Sequence, residues 1–203
     1  MLKYNDYIVE SLSKNKTTED PIINAAKRGS ANKIKELIKK GSNKDAKDNV
    51  YGFTALMYAV LNKYLSAVIE LINCGANPNI QDPEGRTVLM MVSTQKIVDK
   101  LLDAGADVNI QNNRGETAIM MYVNQGKSDM LEYLMKFLDK GLDLEIKDKN
   151  GINFYDRIKN LGPIPTPAGS KNWIEKVEDY MDDNFPQFKD EWDLKQNISK
   201  YNL

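Results

Sequence analysis

The chain has 203 residues, of which 41% are hydrophobic and 28% charged, and its formal net charge is −1. These values are ordinary for a globular domain and give the chain as a whole no electrostatic preference for nucleic acid or anionic membranes. The sequence has no histidine and one cysteine, Cys74, which excludes imidazole-based nucleophile arrangements, imidazole zinc sites and an intramolecular disulfide. No phosphate-binding glycine loop is present either, so we predict no catalytic, cofactor-binding or metal-binding residues. We expect a protein that is not an enzyme and has no small-molecule substrate.

The first predicted element is a short helix within residues 1–19. Tyr4, Ile8 and Leu12 recur at helical spacing, which predicts a capping helix against the segment that follows. This region lacks the apolar run of a signal peptide, and no stretch of the chain approaches transmembrane length. We therefore expect a cytoplasmic protein, acting in its own cell or in a host cytosol, with no membrane partner.

Residues 20–162 contain a repeated unit marked by two phrases. One phrase follows a helical pattern and reads Gly-Ala-Asn-Pro-Asn-Ile, Gly-Ala-Asp-Val-Asn-Ile and Gly-Leu-Asp-Leu-Glu-Ile, starting at Gly75, Gly105 and Gly141. The other opens a helix and reads Gly-Phe-Thr-Ala-Leu-Met, Gly-Arg-Thr-Val-Leu-Met, Gly-Glu-Thr-Ala-Ile-Met and Gly-Ile-Asn-Phe-Tyr-Asp, starting at Gly52, Gly85, Gly115 and Gly151. The spacings of 33, 30 and 36 residues indicate an array whose copies bury their apolar faces by stacking.

Each part of the unit has a local physical role. Thr54, Thr87 and Thr117 lie where a side-chain oxygen can accept from the free amides of a helix N-terminus, so we predict that they are N-caps. A second amphipathic helix follows the first and ends at a glycine suited to the left-handed C-terminal position. The unit is therefore a helix pair followed by a polar hairpin.

Together these phrases resemble the ankyrin-repeat family. The resemblance covers residues 20–162 and implies an all-α ankyrin-repeat solenoid of about five helix-turn-helix units with β-hairpin loops and helical caps at both ends. The repeats are predicted near residues 20–47, 48–81, 82–111, 112–147 and, partial, 148–162.

The chain departs from the family pattern in three ways. The family's histidine is replaced by Met57, Met90 and Met120, so the hydrogen bonds that it makes with the threonine hydroxyl should be missing. Repeat three lacks three residues between Ser93 and Gln95, which predicts a tighter turn between its helices. Repeat four gains three residues within 128–140, which should lengthen its second helix by nearly one turn.

Residues 163–203 are predicted to form a Pro-rich linker and a helical extension. The segment 161–170 contains three prolines and two glycines. Beyond it, one face of a predicted helix carries Trp173, Ile174, Val177, Tyr180 and Met181. This acidic extension either caps repeat five or contributes to a binding surface.

The resemblance implies a non-enzymatic module that binds a protein partner on a concave face of hairpin tips and first helices. Carried over by position, the candidate partner-binding residues are Tyr51, Phe53, Leu61, Asn62, Gln81, Arg86, Gln111, Arg114, Glu116, Asn124 and Gln125. We expect Tyr51 and Phe53 to be the main anchors, since aromatic side chains dominate interface energies. Tyr51 could instead merely pack on the array.

Narrower roles remain open. The chain could be an inhibitor or immunity-type protein that occludes a toxin or enzyme active site, or an effector that acts in a host cytosol. Nucleic acid is a less favoured partner, since it requires a continuous basic patch over Lys33–Lys47 and that stretch has no aromatic residues. We expect a monomer.

Overall fold

The computed structural model describes residues 19–92, 94–124, 130–161 and 173–190. The helices in chain order are α1 Pro21–Lys27, α2 Ala31–Lys39, α3 Ala55–Leu61, α4 Leu65–Asn73, α5 Val88–Met91, α6 Gln95–Asp103, α7 Ala118–Asn124, α8 Met130–Asp139, α9 Phe154–Leu161 and α10 Trp173–Asn184. Residues 186–190 add a helical turn. The predicted N-terminal capping helix falls outside the described residues. The all-α prediction is confirmed.

The helices form two stacked rows. The first helices of the repeats contact one another in the order α1, α3, α5, α7 and α9, while the second helices contact along α2, α4 and α6. Buried side chains such as Leu56, Leu89 and Ile119 come from the first row, and Val68 and Leu101 from the second. The core is therefore a continuous layer between repeats, as expected for an array whose copies bury one another's apolar faces.

The hairpin loops are held by turn hydrogen bonds. Within the described ranges, β-pairing is limited to an isolated antiparallel bridge between Lys47 and Thr54. Gly85 and Gly115 adopt φ values of 75° and 77°, the left-handed region that glycine tolerates best. A Cβ at Gly115 would also lie 2.9 Å from the backbone nitrogen of Lys149 in the next hairpin. The glycine of the repeated phrase thus allows both the turn and the close stacking of hairpins.

One of the three predicted threonine caps forms. Thr54 accepts a hydrogen bond from the backbone N–H of Met57 at 3.3 Å. The hydroxyls of Thr87 and Thr117 are buried and have no hydrogen-bond partner, so the prediction that they cap their helices is wrong. Their isolation confirms the expected consequence of replacing the family's histidine with methionine.

Repeat three is shortened within its first helix. Helix α5 has four residues, whereas α3 and α7 have seven each, so the three missing residues shorten the first helix. The connection to the second helix has three residues in repeat two (62–64) and in repeat three (92–94), so the predicted shortening does not fall in the connection. The last four carbonyls of a helix lack intrahelical partners. One of them, that of Leu89, instead accepts a 2.6 Å hydrogen bond from the buried hydroxyl of Tyr122 in repeat four.

The predicted lengthening of the second helix of repeat four is tested only in part. Helix α8 has ten described residues, one more than α2, α4 and α6. The predicted insertion also includes residues 128 and 129, which lie outside the described residues, so the full lengthening stays a prediction.

Helix α10 takes the place of the missing second helix of repeat five. It contacts α9, the first helix of that repeat, and α8, the preceding second helix. Val177, Met181 and Phe188 are buried, and the hydroxyl of Tyr155 donates a 2.8 Å hydrogen bond to Asp182. These contacts favour the capping interpretation of the C-terminal extension. Residues 162–172 and 191–203 lie outside the described residues.

Candidate functional site

Side chains at one position of successive hairpins connect each repeat to the next. The ammonium group of Lys47 donates to the carbonyl of Gln81 at 2.7 Å. The Gln81 amide donates to the carbonyl of Gln111 at 3.0 Å, and the Gln111 amide donates to that of Lys147 at the same distance. The two glutamines were predicted to contact a partner, but these amide groups already donate to the neighbouring hairpin. We infer that these two side chains hold neighbouring hairpins in fixed positions.

We use the name hairpin face for the loops 47–54, 81–87, 111–117 and 147–153 together with the exposed ends of the first helices. Adjacent loops are also joined through their backbones, since the N–H of Asn113 donates to the carbonyl of Glu84 at 2.9 Å and the N–H of Lys149 to that of Arg114 at 3.0 Å. The loops therefore present their side chains at fixed positions before any partner binds, which lowers the entropy cost of binding.

Three aromatic rings form a cluster in the hairpin of repeat two. The Tyr51 and Phe53 rings have centroids 5.7 Å apart, and those of Phe53 and Tyr58 are 5.5 Å apart. Cations flank the cluster, with the Lys27 ammonium 4.2 Å from the Tyr58 centroid and the Arg86 guanidinium 5.9 Å from that of Phe53. Phe53 is thus partly enclosed, whereas Tyr51 is 60% exposed at the edge.

The base of this hairpin is fixed by a carboxylate. Asp48 accepts hydrogen bonds from the backbone N–H groups of Val50 and Tyr51 at 2.7 and 2.6 Å and from the hydroxyl of Tyr58 at 2.5 Å. Burial by itself would raise the pKa of Asp48, but the bonds to Tyr58 and the backbone lower it below its usual value. An ionised Asp48 therefore holds the loop that carries the exposed tyrosine.

Exposed apolar side chains concentrate in the same repeat. Of the five large hydrophobic residues that are exposed in the described part of the chain, four belong to repeat two. They are Val50, Tyr51, Leu61 and Tyr64, and the fifth is Met135 on α8. Val50 and Tyr51 lie in the hairpin, whereas Leu61, Tyr64 and the exposed Asn62 lie at or just after the other end of α3. Repeat two therefore exposes apolar side chains at both ends of its first helix, and exposed apolar groups are typical of interaction sites.

A polar groove of about 400 Å³ continues the hairpin face across repeats four and five. Arg114, Glu116 and Asn124 line it, together with Arg157 from α9. Arg114 and Asn124 are exposed, so both stay candidate partner-binding residues, whereas Gln125 lies outside the described residues.

Glu116 does not fit a contact role, because it is buried. Its carboxylate lies 2.8 Å from Arg157 and 3.0 Å from the amide of Asn112. Burial raises the pKa of Glu116, but the bonds from Asn112 and Arg157 outweigh it and lower the pKa below its usual value. The partner, Arg157, also pairs with Asp148 at 2.5 Å. Sequence reasoning missed Arg157, since it lies in the divergent fifth repeat, and only the stacking of α9 beside α7 brings it to Glu116.

Several alternatives lose support from the geometry. Burial, followed by the nearby Glu70 carboxylate, raises the pKa of the Cys74 thiol, which disfavours a nucleophilic thiolate. The basic stretch Lys33–Lys47 is interrupted by ion pairs, since Lys33 and Lys40 both contact Glu36 and Lys35 contacts Glu70. These pairs offset part of its positive charge, which weakens the case for nucleic-acid binding on this stretch.

The described residues provide neither a metal-binding cluster nor a membrane-spanning helix. No group of three or more histidine, cysteine, aspartate or glutamate side chains in this part of the chain is arranged to hold a metal ion. None of the described helices has both the length and the apolar character needed to cross a bilayer.

Three family models match most of the chain. A model described as ankyrin repeats (3 copies) matches residues 2–82, one described as ankyrin repeat matches 84–113, and one described as ankyrin repeats (many copies) matches 101–157. The chain belongs to the ankyrin-repeat family. Ankyrin repeats are generally protein–protein interaction modules. The family models that match this chain identify no catalytic domain.

This ankyrin-repeat protein is also similar to a protein of Rickettsia felis named "Putative ankyrin repeat protein". The two are 32% identical over 72 residues, which cover 36% of this chain and 24% of the relative. The chain thus matches only about a quarter of that relative's length.

Proposed function

We propose that this ankyrin-repeat protein is a non-enzymatic interaction module that binds a protein partner on its hairpin face, with Tyr51 as the principal anchor. The concentration of exposed apolar side chains in repeat two carries the proposal. Tyr51 has most of its ring exposed, while Asp48 and Phe53 hold its backbone and one edge of its ring. A rigid, exposed aromatic residue loses little conformational entropy when it becomes buried against a partner.

The rest of the hairpin face would support this anchor. Leu61 and Asn62 lie beyond it at the end of α3, and Arg86, Arg114 and Asn124 extend the face through repeats three and four. Phe53 is partly enclosed, so we assign it mainly to positioning the tyrosine. Its replacement by alanine would also cost stability, so it is a poor test of binding.

The decisive experiment is affinity purification with the tagged full chain from cells of its source organism, followed by quantitative mass spectrometry. Tyr51→Ala should lose proteins that the wild type retains. Met135→Ala should keep them, because Met135 is the exposed apolar residue on a second helix and so provides a matched control. With an identified partner, calorimetry should show that Tyr51→Ala weakens binding by about 1–3 kcal/mol.

Equal retention of the same proteins by wild type and Tyr51→Ala would contradict the proposal. The identity of the partner would also separate the narrower roles. A retained enzyme that loses activity when the chain is added would indicate an inhibitor, whereas a host protein would indicate an effector.

A further inference from the structure

The hairpin loops are electrically neutral in sequence. The four loops contain five cations, Lys47, Arg86, Arg114, Lys147 and Lys149, and five anions, Asp48, Asp82, Glu84, Glu116 and Asp148. From the sequence alone, this balance predicts no preference for a charged partner. What a partner meets depends on which of these groups project from the surface.

The anions are mostly withdrawn from the surface. Asp82, Glu116 and Asp148 are buried, and Asp48 is half-buried. The aspartates accept hydrogen bonds from the backbone of their own loops, as Asp82 does from Arg86 at 2.8 Å. In each of these loops the aspartate stabilises the turn of the hairpin. Only the side chain of Glu84, 69% exposed, projects as an anion from these described loops.

The cations remain at the surface. Arg114 and Lys149 are exposed at the tips of the hairpins of repeats four and five, and Lys47 and Lys147 are exposed at the bases of their loops. Arg86 is partly exposed above Phe53, but it pairs with Asp82 at 2.8 Å and with Glu84 at 3.0 Å, which offsets its charge. Helix α10 adds a formal charge of −4 at the end of the second row, while the other described second helices sum to zero. In the hairpin loops, burial withdraws the carboxylates and leaves the cations exposed.

The face also has two chemically distinct ends. Repeat two presents the exposed apolar side chains of Val50 and Tyr51, whereas repeats four and five present the exposed cations Arg114 and Lys149. We propose that this face binds an acidic protein segment that also carries an apolar residue. The apolar residue contacts Tyr51, and the carboxylates of the segment lie along the cations of the following hairpins. This inference rests on the proposed function and specifies the chemistry of the partner.

A protein segment fits this surface better than nucleic acid does. A phosphate backbone is negative at every residue, so it would place a charge against the exposed carboxylate of Glu84 in the middle of the face. A peptide can place carboxylates opposite the separated cations and an apolar side chain on Val50 and Tyr51. Complementary charge of this kind accelerates association and selects against partners of the wrong sign.

The test uses fluorescent peptides and fluorescence anisotropy with the full chain. One peptide has ten glutamates, and two others have eight glutamates with Leu-Phe at one end or the other. A decathymidylate strand of similar charge tests the nucleic-acid alternative. At 50 mM NaCl we expect a Leu-Phe peptide to bind more tightly than decaglutamate and the strand, and to weaken about tenfold or more at 200 mM NaCl because exposed charges are screened.

Charge-reversal variants and Tyr51→Ala test where on the protein the peptides bind. Arg114→Glu combined with Lys149→Glu should weaken peptide binding about tenfold or more, since both charges reverse on the hairpin face. Lys96→Glu combined with Lys140→Glu is the matched control, because it places two reversed charges on or beside the second helices, and it should leave affinity within about twofold. Circular dichroism verifies that each variant is folded. Tyr51→Ala should remove the advantage of the Leu-Phe peptide over decaglutamate.

The inference is overturned if none of the acidic peptides binds, if the oligonucleotide binds as tightly as they do, or if the control variant loses as much affinity as the hairpin-face variant. A cellular partner that is lost in Tyr51→Ala but unaffected by the Arg114 and Lys149 reversals would leave the proposed function standing and refute the acidic-partner inference. The two proposals can therefore fail separately.

Discussion

Removing the hydroxyl of Thr54 should destabilise the chain, whereas removing that of Thr87 or Thr117 should not. All three threonines occupy the same position of the repeat and are at most 3% exposed. Valine has nearly the same shape and keeps the β-branched side chain, so Thr→Val at each position removes only the polar group. The three variants form a matched set within one molecule.

The expected sizes follow from the hydrogen bonds. Thr54 accepts from the N–H of Met57, so Thr54→Val leaves a buried helix N-terminus without its cap and should destabilise the chain by about 1 kcal/mol. The hydroxyls of Thr87 and Thr117 have no partner, and a buried unpaired hydroxyl costs about 1–3 kcal/mol. Thr87→Val and Thr117→Val should therefore be neutral or stabilise the chain by up to about 1 kcal/mol.

Urea denaturation followed by circular dichroism measures these differences at pH 7 and 25 °C. A change of midpoint at constant slope reports a change in the free energy of unfolding. If Thr87→Val and Thr117→Val destabilise the chain as much as Thr54→Val does, then their hydroxyls are hydrogen-bonded and the reasoning is refuted.

Two further predictions concern the junctions between repeats. Tyr122→Phe leaves the buried carbonyl of Leu89 without the hydroxyl that satisfies it, so urea titration should show a loss of about 1–3 kcal/mol, and an unchanged midpoint would refute that role. The carboxylate of Glu116 has its pKa lowered by Asn112 and Arg157 despite burial, so its contribution to stability is complete above the ordinary value of 4.5 and is lost as the pH falls through the lowered one. Thermal unfolding of the wild type should therefore show a loss of stability below about pH 4.5 that is smaller in Glu116→Gln, and identical pH profiles would contradict this prediction.

The fold could be predicted from the sequence because its signals are local and repeated. Gly85 and Gly115 mark turns that need a left-handed backbone, and the apolar residues that follow them have helical spacing. Each copy of the phrase strengthens the assignment of the others. The sequence-based prediction of the fold failed where the structure of one repeat depends on contacts with another repeat. The loss of a turn from α5 is compensated by Tyr122 of the next repeat, and no local pattern indicates that contact.

The candidate site could be predicted only in part. Exposed Tyr51, Leu61 and Arg114 follow from their positions in the repeat, because hairpin tips and helix ends project from a stacked array. Gln111 and Glu116 occupy equally suitable positions, yet one joins neighbouring hairpins and the other pairs with Arg157. Position in the repeat places a side chain on the surface layer, but its neighbours decide whether it remains available.

The sequence by itself determined that this chain is an array of helix pairs and that the family's histidine-dependent hydrogen bonds are missing. These properties depend on backbone conformation and on residues within one repeat. Only the tertiary structure decided that α10 completes repeat five and that the hairpin face presents its cations while its carboxylates are withdrawn. Burial and charge exposure depend on the neighbouring repeat, and that neighbour lies about thirty residues away in the chain but in direct contact in the fold.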